Sequence, residues 1–261
     1  MRVAQIGHGF VGASLHKSFG IMGCNTIVYD KYLKIGSFLD ILNSDILFMC
    51  LPTPYSSANG FEIGAIEENL EKLSNANYSG LCVIKSTILP GTSEALQSKY
   101  GLNIAHNPEF LTERTAFDDL HNQKHIVLGK IYDSHGFDKL ILLYKELYPD
   151  AHISVCTSSE SESMKIFLNA FYAQKVMIFN EFYSLCEKMN LDFENIKDLM
   201  LKNKWISKNH TMVPGPDGDF AYGGSCFPKD TKALCDLMTN IGSDHQILLA
   251  CIEERDKIRN D

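Results

Sequence analysis

The segment that most constrains this chain is Gly7-His8-Gly9-Phe10-Val11-Gly12, set directly behind the apolar run Val3–Ile6 and ahead of a helical pattern. Glycines at these spacings have distinct tasks at a strand-to-helix turn. Gly7 permits the tight turn, Gly9 lets a pyrophosphate approach the backbone, Gly12 lets helix and strand pack, and the helix amino end offers N–H groups to phosphates. Phe10 and Val11 belong to the same cradle. Asp30 ends the next apolar run, Thr26–Tyr29. A carboxylate there accepts from both ribose hydroxyls and repels a 2′-phosphate, so NAD is expected over NADP. Lys31 and Lys34 temper that preference, and Lys34 is counted among the cofactor contacts.

Further apolar runs at Ile46–Cys50, Leu81–Lys85, Asn103–Ala105, Ile126–Leu128 and Ile153–Val155 alternate with turn residues or helical patterns. Strand alternating with helix implies a mostly parallel sheet covered on both faces. From about residue 158 the pattern changes. Ser159 and Glu162 have capping-box spacing, and Met164, Phe167, Leu168, Phe171, Ile178, Phe182, Leu185 and Met189 then recur at helical spacing. One long helix of about eight turns is expected. The fold class is therefore α/β: an N-terminal Rossmann-like doubly wound sheet over residues 1–157, then an all-α domain over 158–261 built on that helix. A shorter helical stretch ends near Lys202, a polar loop runs from about Asn203 to Gly224, and a last helical segment ends in Glu253-Glu254-Arg255-Asp256-Lys257.

Composition narrows the functional classes. A formal charge of −8 argues against a broad nucleic-acid or membrane-binding face, so phosphates must be held by local donors. The eight cysteines show neither a Cys-x-x-Cys pair nor metal-like His/Cys spacing, and read as reduced thiols of a cytoplasmic protein without a metal. The start of the chain passes straight into a strand with no signal-peptide pattern, and no apolar run reaches the roughly 18 residues of a membrane span.

Four further segments carry chemistry. Lys85-Ser86-Thr87-Ile88-Leu89-Pro90-Gly91-Thr92 and Asn107-Pro108-Glu109-Phe110-Leu111-Thr112-Glu113 each follow a strand, and Lys165 and Asn169 stand at i and i+4 on one helix face. Taken singly they read as a solvated turn, a helix surface and a polar helix face. Gly223-Gly224-Ser225-Cys226-Phe227-Pro228-Lys229-Asp230 sets a thiol behind two glycines and ahead of a lysine and a carboxylate. Such a cysteine is a candidate nucleophile, the alternative being an inert buried thiol after a turn.

With Pro52-Thr53-Pro54 added, the chain holds in order the patterns G-x-G-x-V-G, P-T-P, K-S-T-x-x-P-G-T, N-P-E-F-L-x-E and G-G-x-C-x-x-K-D. It thereby resembles the UDP-glucose/GDP-mannose dehydrogenase family over essentially its whole length, matching that family's first two domains and lacking its usual C-terminal nucleotide-sugar-binding domain. The resemblance implies an NAD-dependent four-electron oxidation of a nucleotide sugar's primary alcohol to a carboxylate, most like UDP-glucose 6-dehydrogenation. It implies Cys226 as nucleophile, Lys165 and Asn169 as oxyanion donors in contact with substrate, and Glu109 as general base for hydrolysis. Asp230 and Thr87 would position water or tune Lys165. Pro52, Thr53, Thr87, Glu113 and Lys229 would neighbour the cofactor. Phe110, Leu111, Phe220, Tyr222 and Gly223 would line the sugar. Where many relatives have an arginine ahead of this last loop, Lys204-Trp205-Ile206-Ser207-Lys208-Asn209-His210 stands instead. A homodimer through helix 159–189 is implied as well. The alternatives are another UDP- or GDP-sugar dehydrogenase, a β-hydroxyacid dehydrogenase, or a non-catalytic binding protein or subunit of a split enzyme.

Overall fold

The computed structural model describes residues 1–259. They form two compact units. One comprises Met1–Pro54 and Phe61–Lys165, the other Tyr55–Gly60 and the chain from Ile166 onward.

The first unit is built on a seven-stranded sheet of β1 (Val3–Ile6), β2 (Thr26–Tyr29), β3 (Ile46–Met49), β6 (Leu81–Ile84), β7 (Asn103–His106), β8 (His125–Lys130) and β9 (His152–Thr157). The labels β4 (Tyr55–Ser56) and β5 (Gly60–Phe61) belong to a separate small hairpin. Strand order is β2-β1-β3-β6-β7-β8-β9, parallel throughout except for the antiparallel pair β7/β8. All seven runs legible in the sequence are strands of this sheet. The helices are α1 (Phe10–Ile21), α2 (Phe38–Ile41), α3 (Gly64–Asn75), α4 (Thr92–Tyr100), α5 (Ala116–His121) and α6 (His135–Leu147).

Strand alternation sends side chains to two cores. Val3, Phe48 and Val83 pack with Leu15 and Phe19 of α1 and Phe137, Leu140 and Tyr144 of α6. Ala4, Ile6, Leu47, Met49, Cys82 and Ile84 pack with Ile66 and Leu70 of α3 and Leu96 of α4. Burial on both faces explains why these strands read as continuous apolar runs. The chain goes from β1 outward to β2 and then crosses back to β3, so the carboxyl ends of β1 and β3 form the topological switch point where α/β sheets bind ligands.

Strand β9 runs without a linker into α7 (Ser158–Met189). The expected Ser159/Glu162 box does not cap this helix, because helical backbone begins at Ser158, two residues earlier than that box requires. Thr157 and Glu160 form the box instead: Glu160 N donates to Thr157 Oγ1 at 3.2 Å, and Thr157 N donates to Glu160 Oε2 at 2.8 Å. Glu162, fully buried, accepts from Gly91 N at 2.6 Å and Ser93 N at 2.9 Å, and so caps α4.

The second unit contains the rest of α7, then α8 (Phe193–Lys202), α9 (Phe227–Asn240) and α10 (Gln246–Ile258). The last apolar segment is thus two helices, parted at Gly242, whose φ of 71° ends α9. Asn190 ends α7 in the left-handed region (φ 55°), and Asp192 caps α8 by accepting from Asn195 N at 3.1 Å. The core of this unit uses Ala173, Met177 and Phe179 of α7 against Ala221, Tyr222, Phe193 and Val213. The apolar stripe read from the sequence lies elsewhere on α7. Phe167, Phe171, Ile178, Phe182, Leu185 and Met189 are exposed in the single chain. The hairpin β4–β5, not foreseen, places Tyr55 on α9, with its hydroxyl donating to Asp236 Oδ2 at 2.7 Å.

Candidate functional site

The cofactor turn lies at the switch point of the first unit. Gly7 has φ 90°, and a Cβ on it would lie 2.2 Å from the Cys50 carbonyl oxygen, so only glycine lets the ends of β1 and β3 meet. A Cβ on Gly12 would lie 2.2 Å from the Gly7 carbonyl oxygen, whereas one on Gly9 would meet nothing within 4 Å. Gly9 is the N-cap of α1, beside Phe10 and Val11 in its first turn. Asp30 follows β2. Its Oδ2 accepts from His8 N at 2.8 Å and its Oδ1 from Tyr32 N and Leu33 N, each at 2.9 Å. Burial pushes the Asp30 carboxyl up, but the bonds from Leu33, His8 and Tyr32 outweigh it and hold it below the usual range, as an anion. Lys34, exposed at φ 57°, sits in the turn closed by the Asp30–Ile35 bridge.

Two loops are tied together beside this turn. Thr53 Oγ1 donates to Thr87 O at 2.8 Å and Ser86 Oγ to Leu51 O at 2.6 Å, fixing the segment with Pro52 against Lys85–Thr87. The open glycine turn, the helix amino end and an ionised carboxylate after β2 fit a dinucleotide. Among the described residues no group of three or more His, Cys, Asp or Glu side chains could hold a metal ion.

A buried ionic cluster occupies the same unit. Lys165 Nζ donates to Glu109 O at 2.6 Å and lies 3.2 Å from Glu109 Oε1, both side chains being under one-tenth exposed. Glu109 Oε2 accepts from Leu111 N at 2.6 Å, and the Phe110 ring lies 5.6 Å from Lys165 Nζ. Beneath them Lys85 donates to Asn107 O at 3.0 Å and Asn107 Oδ1 at 2.8 Å, and Tyr144 also donates to Asn107 Oδ1. Burial pulls the Lys85 ammonium down to about 8, only partly countered by Cys50 and Glu109. His106, also buried, contacts Ser161 Oγ at 2.8 Å through Nδ1, and burial, aided by the Lys85 and Lys165 charges, pulls it down to about 3. Glu113 stands in an exposed 3-10 turn, Glu113–Thr115.

The cysteine segment belongs to the second unit. Cys226 is the N-cap residue of α9, half-buried, with Pro228 in the first turn. A helix amino end favours a developing anion. One turn into α9, Asp230 is fully buried; it accepts from Asn169 Nδ2 at 2.6 Å and from Lys229 Nζ at 2.5 Å. Asn169 and Asp230 are thus brought together, and Lys229 is aimed at Asp230. Phe220 is exposed at the rim and tilts against Tyr183. Tyr222 is core, its ring against Arg255 and its hydroxyl 3.3 Å from Thr231 Oγ1, so the aromatic face this loop offers is that of Phe220. Gly223 is covered by Arg259, whose guanidinium carbon would lie 2.2 Å from a Cβ there and whose Nη1 donates to Asp217 Oδ2 at 2.7 Å. No periodic pattern in the sequence marks Arg259. His210 stacks on Tyr172 at 4.4 Å, and Lys175 donates to the carbonyls of Ser207 and Asn209, shaping the loop ahead of the cysteine.

Residues 37–148 match the UDP-glucose/GDP-mannose dehydrogenase family NAD binding domain, and residues 159–256 match the central domain of the same family. The chain belongs to this family. Its first domain is accordingly an NAD-binding one. UDP-glucose 6-dehydrogenase of Rickettsia bellii is 31% identical over 84% of this chain and 51% of its own length. GDP-mannose 6-dehydrogenase of Pseudomonas aeruginosa is 30% identical over 80% of this chain and 50% of its own. The chain spans about half the length of these curated relatives. A UDP-glucose dehydrogenase from Pyrobaculum islandicum shares the fold with a TM-score of 0.87 at 23% identity, over 98% of this chain and 68% of that one.

Proposed function

We propose that this chain oxidises the primary alcohol of a nucleotide sugar to a carboxylate, UDP-glucose to UDP-glucuronate, through a thioester on Cys226. The reading is supported by what each unit holds: in the second, a cysteine at the amino end of α9 with an Asn169–Asp230 pair one turn on, and in the first, a buried Lys165–Glu109 pair. The glycine turn with Gly9, the amino end of α1 and Asp30 would hold NAD, which would supply the hydride acceptor, two molecules in turn. Loss of the first hydride and the hydroxyl proton leaves an aldehyde, to which the Cys226 thiol adds as a thiohemiacetal. Loss of the second hydride and the hydroxyl proton gives a thioester, and water releases the acid and restores the thiol.

Each tetrahedral species carries a developing oxyanion. The Lys165 ammonium and the Asn169 amide are donors suited to it. Asp230 orients the Asn169 amide through its hydrogen bond and holds Lys229. Glu109 is assigned as the base for hydrolysis, with Lys165 as the base in the first oxidation. Thr87 is assigned to the loop that positions water, and Phe110, Leu111 and Phe220 to sugar contact. Residues 1–157 then act as the NAD-binding domain and residues 158–261 as the helical domain of a cytoplasmic homodimer. The exposed stripe from Phe167 to Met189 supports α7 as its contact surface. Among the described residues no helix is long and apolar enough to cross a membrane.

The test is an NADH-release assay with UDP-glucose, UDP-galactose, GDP-mannose and N-acetylated UDP-sugars, with product mass measured. Two NADH per acid formed are expected, and Cys226→Ser should stop before the acid. One NADH per released aldehyde from a fully active Cys226→Ser chain would sink the thioester route. A second reading is a subunit that binds nucleotide sugar and turns over only with a second polypeptide. Calorimetric binding without turnover, restored by that polypeptide, distinguishes it.

A further inference from the structure

Gln5 interrupts an otherwise apolar strand and is fully buried. By strand alternation it shares the face of Val3, the side covered by α1. Its Nε2 lies 3.0 Å from the Gly7 carbonyl oxygen, 3.1 Å from the Gly12 carbonyl oxygen and 3.2 Å from His8 Nδ1. Only an amide nitrogen satisfies two carbonyls, which fixes the orientation of the Gln5 amide. His8 Nδ1 faces the same nitrogen, whose two hydrogens the carbonyls already take. Gln5 Oε1 has no partner, a cost that an apolar residue would avoid while losing both bonds to the turn.

The Gly7 carbonyl and the His8 N–H belong to one peptide plane and point in opposite directions. Gln5 holds the carbonyl end and Asp30 Oδ2 accepts from the other end at 2.8 Å. We propose that Gln5 is a positioning residue of the NAD site. It clamps the Gly7–His8 peptide so that the His8 N–H fixes the Asp30 carboxylate where the adenosine ribose must meet it. It also holds the Gly7 carbonyl inward, away from the pyrophosphate, which a carbonyl oxygen would repel. Gln5 therefore bears on discrimination between NAD and NADP as well as on affinity, although it touches neither ribose nor phosphate.

The experiment is fluorescence titration of NADH and NADPH into the full chain, wild type and Gln5→Met, with thermal melting of each protein. Loss of two buried hydrogen bonds at the turn should weaken NADH binding about tenfold. A loosened Asp30 should also bring the NADPH and NADH dissociation constants closer together. A merely structural role would lower the melting temperature and leave that ratio unchanged. Gln5→Glu, which faces a carboxylate toward two carbonyls, should weaken NADH further than Gln5→Met. Wild-type affinity and ratio in folded Gln5→Met would overturn the proposal. If that variant does not fold, hydrogen exchange of the Gln5 side-chain amide in the wild type decides. Exchange slowed further by NADH supports the clamp, and exchange as fast as that of an exposed amide refutes it.

Discussion

Acidification should cost this protein stability through one histidine. His106 ends β7 with a fully buried ring between Ser161 Oγ and the Ser86 carbonyl. Burial, aided by the Lys85 and Lys165 charges, lowers its pKa from 6.5 to about 3. The unfolded chain therefore binds a proton that the folded chain refuses across that window. The neutral ring contributes its full stability above pH 6.5, and this is lost as pH falls toward 3. Between pH 7.5 and pH 4.5 the loss is about 3 kcal/mol, roughly a hundredfold in the folding equilibrium. Urea unfolding of wild type and His106→Asn at both pH values checks this. Trp205, the sole tryptophan, lies in the second unit, so circular dichroism or exchange of β6 and β7 amides is the suitable probe. His106→Asn should be the weaker protein at pH 7.5 and lose about 3 kcal/mol less than wild type on going to pH 4.5. Parallel losses in the two proteins would refute the reasoning.

Two further outcomes follow from the geometry. Lys165→Met strands the Glu109 carboxylate in a buried site and should cost about 3–5 kcal/mol in urea unfolding. Adding Glu109→Gln should recover most of that loss, and additive losses would argue against a coupled pair. Replacing Phe171 and Phe182 by Glu on the exposed face of α7 should halve the mass measured by light scattering. An unchanged mass would place the dimer contact elsewhere.

The central strands β3 and β6 were legible because burial on both faces leaves unbroken apolar runs, whereas β1 and β9 were read through the polar Gln5 and Ser154 that interrupt theirs. The glycine turn was legible because Gly7 and Gly12 answer backbone clashes that no other residue survives. The direction of β8 was not, since strand sequence does not encode parallel or antiparallel pairing. Glu162 misled because capping-box spacing records a possible partner, and the side chain found two better N–H donors at α4. Helical periodicity identified the apolar stripe of α7 without revealing which face the core would take; Ala173 and Met177 took it, leaving the phenylalanines exposed. Tyr222 and Phe220 sit two residues apart in one loop, and packing against Ala173, Met177 and Arg255 sends the first inward while the second stays at the surface.

The six residues Tyr55–Gly60 fold with the second unit although the chain on both sides of them folds with the first. The polypeptide therefore changes allegiance three times, after Pro54, after Gly60 and after Lys165. No single scissile bond separates the two cores. A fragment ending at residue 157 would retain Tyr55 without Asp236, its partner on α9. Halves expressed as separate polypeptides should need each other to restore that contact.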